Sequence, residues 1–151
     1  MTLTQKESSL LNDLKSQEQI CIKKYGKYAS EAHDPQLKEL FLRLKSTEEK
    51  HLDTITQILG GAEISMPDKS PSAVECKLTC QPATVPENEK QEDAFLCKDA
   101  LSMEKHVSGV YDTSVFEFSS PVLRNTLAHI QKEEQNHGEM LYNYLSCNNM
   151  Y

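Results

Sequence analysis

The sequence predicts an all-α protein, an antiparallel four-helix bundle built from two helical hairpins joined by a long crossover. Three observations carry this. The chain repeats itself at an offset of 86: Glu18, Glu48 and His51 recur as Glu104, Glu134 and His137, and Tyr25, Pro35, Leu37 and Leu59 recur as Tyr111, Pro121, Leu123 and Leu145. Each half holds two stretches whose inward positions step alternately by three and four, the period of a buried helix face. There is no tryptophan and there are only five glycines, which argues against a β-sandwich or a dinucleotide-binding α/β fold.

The elements follow from their end signals. Thr4 with Glu7 three residues later forms a capping box and opens the first helix, which runs to about Ala32. Asp34-Pro35 is a cap followed by proline at the first helical position; it opens the second helix, which stops at Gly60-Gly61. The third helix starts near Asn88 to Gln91 and reaches about Phe118. Ser120-Pro121 repeats the cap-plus-proline signal, and the fourth helix ends near Leu145. Turns of two or three residues force each pair into an antiparallel hairpin. Residues 60–88, with Pro67, Pro71, Pro82 and Pro86, have neither helical period nor strand alternation and form the crossover. The whole is one domain over 1–151, with hairpins at about 4–59 and 89–147.

Composition narrows the function. Hydrophobic residues make up 38% and charged residues 26%, ordinary for a soluble helical domain. A net charge of −7 with no Lys/Arg stripe argues against nucleic acid as a partner. The first residues lack the apolar run of a signal peptide and no stretch reaches membrane-spanning length. Cytoplasmic synthesis without a membrane partner is the expectation. Five cysteines are an odd number, and reduced thiols are the default. Cys76 and Cys80 lack the paired C-x-x-C spacing of a zinc or iron site. Cys21 and Cys97 fall on helix faces and read as small apolar fillers.

The chemistry lies in the seams. They run Leu11, Leu14, Glu18, Cys21, Tyr25, Tyr28, Ala32 in helix 1 and Leu37, Phe41, Leu44, Glu48, His51, Ile55, Ile58 in helix 2. Helix 3 gives Cys97, Ala100, Glu104, Val107, Tyr111, Ser114, Phe118, and helix 4 gives Leu123, Leu127, Ile130, Glu134, His137, Leu141, Tyr144. An acidic residue sits mid-seam in all four. One E-x-x-H means little, since roughly half a copy arises by chance in such a chain. Two in register, each with a glutamate 30 residues upstream, mean more.

Four carboxylates facing one another in a core repel strongly; two divalent cations balance them and leave neutral imidazoles as the remaining ligands. Glu18, Glu48, His51, Glu104, Glu134 and His137 are therefore the expected metal ligands, with two Fe or two Mn ions favoured by the oxygen-rich set. Tyr25 and Tyr111, two turns beyond Glu18 and Glu104, are placed to hydrogen-bond ligand carboxylates; core aromatics with a polar tip are the alternative. Glu49 reads as solvated, and Glu133 is placed either in solvent or where it orients a ligand histidine. His33 reads as a surface residue, His106 and His129 as exposed or structural.

This Glu…E-x-x-H pattern resembles the ferritin-like superfamily, which includes bacterioferritins and rubrerythrins. More closely, the stretches Leu-Lys-Ser-Gln-Glu18-Gln, Asp34-Pro-Gln-Leu, Ser-Met-Glu104-Lys-His-Val-Ser-Gly-Val-Tyr111-Asp-Thr and Asn-His137-Gly-Glu-Met-Leu-Tyr-Asn-Tyr resemble the spore coat protein F family of endospore-forming bacteria. The resemblance implies a dinuclear centre on the six ligands, reacting with O2 or peroxide as a peroxidase-, ferroxidase- or catalase-like oxidoreductase and drawing electrons from a separate donor. It also implies an association with sporulation and a homodimer. Rubrerythrin's four-cysteine module and extra ligand glutamate are absent here. The alternative is a structural coat component, packed with other coat proteins and cross-linked through linker cysteines and Tyr142, Tyr144 and Tyr151.

Overall fold

The structure, a computed structural model, describes residues 2–65 and 79–151. Four helices account for most of them: α1 (Gln5–Glu31), α2 (Pro35–Leu59), α3 (Glu87–Val115) and α4 (Pro121–Cys147). The predicted end signals operate. Thr4 and Glu7 exchange both bonds of the capping box, and Asp34 and Ser120 accept from Gln36 and Leu123 N–H groups ahead of Pro35 and Pro121. At the end of α2, Gly61 takes the left-handed conformation, φ +80°. Ala62 N–H then reaches back to the Gln57 carbonyl, so the turn closes on the last free carbonyls. Differences lie in α3. It begins at Glu87 behind Pro86, which has no side chain able to cap, and it stops at Val115, short of the expected Phe118. Phe118 is buried in the turn instead.

Each hairpin packs tightly on itself, and contacts between hairpins set the topology. Lys24 meets Asp99 at 2.8 Å and Lys6 meets Glu117, so α1 and α3 are antiparallel. Tyr144 donates to Asp34 at 2.8 Å, so α2 and α4 are antiparallel as well. With every adjacent pair antiparallel, the end of α2 and the start of α3 lie at opposite ends of the bundle. The described ends of the crossover, Gly60 and Pro86, are therefore separated by the length of the bundle, about 37 Å for the 25 residues of α2. Residues 66–78 of that crossover, including Cys76, Pro67 and Pro71, lie outside the described residues. Its last stretch docks on the far end, where Gln81 pairs with Gln36 and Ala83 N–H donates to Asn148.

Every position of the four seams is buried, from Leu11 to Ala32 and from Leu123 to Tyr144. The core is thus two apolar layers, rich in Leu, Ile, Tyr and Phe, with a layer of six ionisable side chains between them. Among the described residues no helix is long and apolar enough to cross a membrane.

Candidate metal centre

Helix geometry fixes the six side chains. Glu48 and His51 are three apart on α2, as are Glu134 and His137 on α4, so each pair shares a face one turn apart. Glu18 and Glu104 face them from α1 and α3. All six are at most 2% exposed. They form two overlapping groups, Glu18, Glu48, His51 and Glu134 on one side, Glu48, Glu104, Glu134 and His137 on the other. Within each group the possible ligand atoms all lie within 4.8 Å of one another.

Glu48 and Glu134 belong to both groups, and their individual oxygens divide between the two. Glu48 turns Oε2 to His51 Nδ1 at 2.9 Å and Oε1 to His137 Nδ1 at 3.2 Å. Glu134 does the same, Oε1 to His51 at 3.1 Å and Oε2 to His137 at 3.3 Å. Glu18 faces only His51 and Glu104 only His137. The two imidazoles stack at 5.8 Å between centroids. Two shared carboxylates, with one further carboxylate and one histidine on each side, form two adjacent groups that could each hold a cation.

The tyrosines cross between hairpins. Tyr25 donates its hydroxyl to Glu104 Oε1 and Tyr111 donates to Glu18 Oε1. Burial and the surrounding carboxylates hold both phenols protonated, which keeps them donors. Each terminal glutamate thus has one oxygen tied down. The other, Oε2 in both, has no hydrogen-bond partner, and neither oxygen of Glu134 has one in acceptable geometry. Four buried carboxylate oxygens without partners are costly as they stand and are what a cation would satisfy.

Charge sharing in the metal-free cluster follows from burial. Desolvation, then the charges of Glu134 and Glu48, push Glu18 well above the carboxylate range. Glu104 is raised likewise by burial and Glu134. For Glu48 and Glu134 burial pulls upward too, but the two histidines beside each of them outweigh it and hold both low. Burial pulls the histidines down, yet the carboxylates around them win and hold both well above the usual imidazole range. Without metal, protons are thus drawn towards Glu18, Glu104 and the two histidines and away from Glu48 and Glu134.

Glu133 lies outside the predicted ligand set but not outside the site: its Oε2 accepts from His51 Nε2 at 2.8 Å. Of the two positions the sequence left open for it, the orienting one is occupied. Glu49 is exposed, paired with Lys45 at 3.4 Å. His106 is exposed, and His129 is half-buried beside Glu133. Cys21 and Cys97 are buried, with thiols pushed up by burial. Tyr142 and Tyr151 are exposed and meet edge to face, but Tyr144 is buried against Asp34, which removes it from the residues expected to cross-link.

Residues 92–151 match the Coat F domain. That match indicates the spore coat. It covers most of α3 and all of α4, including Glu104, Tyr111, Glu134 and His137; Glu18, Glu48 and His51 lie before it. No curated protein and no solved structure matches the chain.

Proposed function

We propose that this chain is a ferritin-like dinuclear metal carboxylate protein of the spore coat, holding two Fe or two Mn ions and reacting with O2 or peroxide. The observation that carries it is the division of Glu48 and Glu134 oxygens between two histidines, beside four orphaned carboxylate oxygens. The residues fit such ions: oxygen-rich, one imidazole per seat, dry, and of matching charge. Glu18 and His51 would hold one ion, Glu104 and His137 the other, and Glu48 and Glu134 both. When bound, the ions would supply one-electron redox chemistry and an electrophilic seat for a small oxygen ligand.

The chain's own residues do the rest. The tyrosines fix the terminal carboxylates by one oxygen each. The apolar layers above and below exclude bulk water and so strengthen every interaction inside. Electrons would come from a separate donor or from substrate iron.

The test is metal content by mass spectrometry after anaerobic loading, alongside the Glu48→Ala/Glu134→Ala double variant. About two ions per chain, lost in the variant, is the expected result; no ion in the loaded native chain overturns the proposal. The Coat F match itself favours a second reading, a structural block of the coat whose ions only hold the core together. Rapid oxidation of the ferrous protein by peroxide separates the two, since only an oxidoreductase requires it.

A further inference from the structure

The two seats are related by the 86-residue repeat, and the side chains that would hold the ions obey it. Their surroundings do not. Glu133 accepts from His51 Nε2 at 2.8 Å, while its repeat counterpart (133 − 86 = 47) is Thr47, which bonds back to the Arg43 carbonyl of its own helix. Among the described residues no carboxylate does for the His137 Nε2 what Glu133 does for His51. A carboxylate on the far nitrogen fixes which nitrogen keeps its lone pair, holds the ring's direction and raises its strength as a ligand.

A second feature lies on another side of the site. A cleft between α3 and α4 reaches Glu104 and Glu134, lined also by Ser108, Gly138, Tyr142 and Tyr151. Glu104 belongs only to the His137 seat. Gly138 leaves the helix surface bare there; a Cβ would come within 3.6 Å of Leu101.

We propose that the seats are unequal by construction: Glu133 is a positioning residue that makes the Glu18–His51 seat the tight one, and the Glu104–His137 seat is the exchanging one, served through the α3–α4 cleft. This rests on the metal-centre reading above. It adds that the two ions are bound and released in separate steps, the second from a defined face.

The test is an anaerobic Co2+ titration followed by ligand-field absorbance, with chelator release as its companion. The native chain is expected to bind in two resolved steps and to give up one ion at least about tenfold faster than the other. Glu133→Thr, which installs the repeat counterpart, is expected to weaken the tighter step about 10- to 100-fold and merge the two. Thr47→Glu, the mirror change at a half-buried position, is expected to tighten the weaker step and slow release of the faster ion. Two unresolved steps in the native chain overturn the inference, as do equal losses in both steps on Glu133→Thr. In both cases two ions still bind and the metal-centre reading stands. No Co2+ bound by the native chain overturns both.

Discussion

Tyr25 and Tyr111 show how little freedom the site leaves its ligands. Each hydroxyl crosses to the opposite hairpin and spends one oxygen of a terminal glutamate, so the remaining oxygen has one direction in which to act. Removing the hydroxyl leaves the ring's packing intact and frees the carboxylate to rotate. Tyr111→Phe should therefore weaken the Glu18–His51 seat and Tyr25→Phe the Glu104–His137 seat, each by roughly tenfold, with two ions still bound at saturation. A metal titration of the two variants checks this. Unchanged affinities would reduce both tyrosines to core aromatics. That these residues face the site was legible because residues seven apart on a helix share a face. The orienting bond of Glu133 was not, because a position one step before the seam can turn either to solvent or inward.

At the level of the helices, the repeat has a structural use besides the seats. Glu7 on α1 accepts from the backbone N–H and hydroxyl of Ser119 in the α3–α4 turn, while Asp93 on α3 accepts from the N–H groups of His33 and Asp34 in the α1–α2 turn. The two positions are repeat counterparts (7 + 86 = 93), so each hairpin's first helix clamps the other hairpin's turn. The capping role of Glu7 was legible from Thr4, but the clamp was not: its partner is 112 residues away and leaves no periodic trace. The same limit explains α3, whose start behind Pro86 carries no cap residue to announce it. Backbone N–H donors from Thr4 and Ser119 hold the Glu7 carboxyl down at about 2, from 4.5. A depressed carboxyl contributes stability that is complete above the unfolded value and is lost as pH falls from 4.5 towards 2. Glu7→Gln should cost about 1–2 kcal/mol at neutral pH and remove that part of the acid-induced loss. Urea melts of both proteins from neutral to acid pH measure it, and parallel curves would refute it. Asp93→Asn should loosen the opposite turn by a similar amount, read as faster amide exchange at His33 and Asp34.

For the molecule as a whole, the layer of six ionisable groups couples fold, metal and protons. The seams, the hairpins and the crossover were readable because burial in a bundle imposes one period on all four helices; the polar layer was readable because it broke that period identically in both halves. Its energetics depend on which oxygen faces which nitrogen, and no sequence period encodes that. Glu18, Glu104, His51 and His137 all hold protons more tightly in the fold than in the open chain. Groups raised in this way stabilise fully below their unfolded values and lose that contribution as pH rises through the folded ones. The metal-free bundle should therefore weaken as pH rises above 4.5, where the two glutamates begin to contribute, and more steeply above 6.5, where the histidines join them. Glu48 and Glu134 have the opposite sign, but their window lies below the ordinary carboxylate range and does not enter here. Two divalent ions need four carboxylates and neutral imidazoles, so loading should release protons and tighten over the same rise in pH. The gap in melting temperature between Mn2+-loaded and metal-free protein should thus widen steadily from about pH 6 to 8. Thermal melts at three pH values, with and without Mn2+, decide it. A gap that stays constant or narrows would mean that the cluster does not exchange its protons for metal.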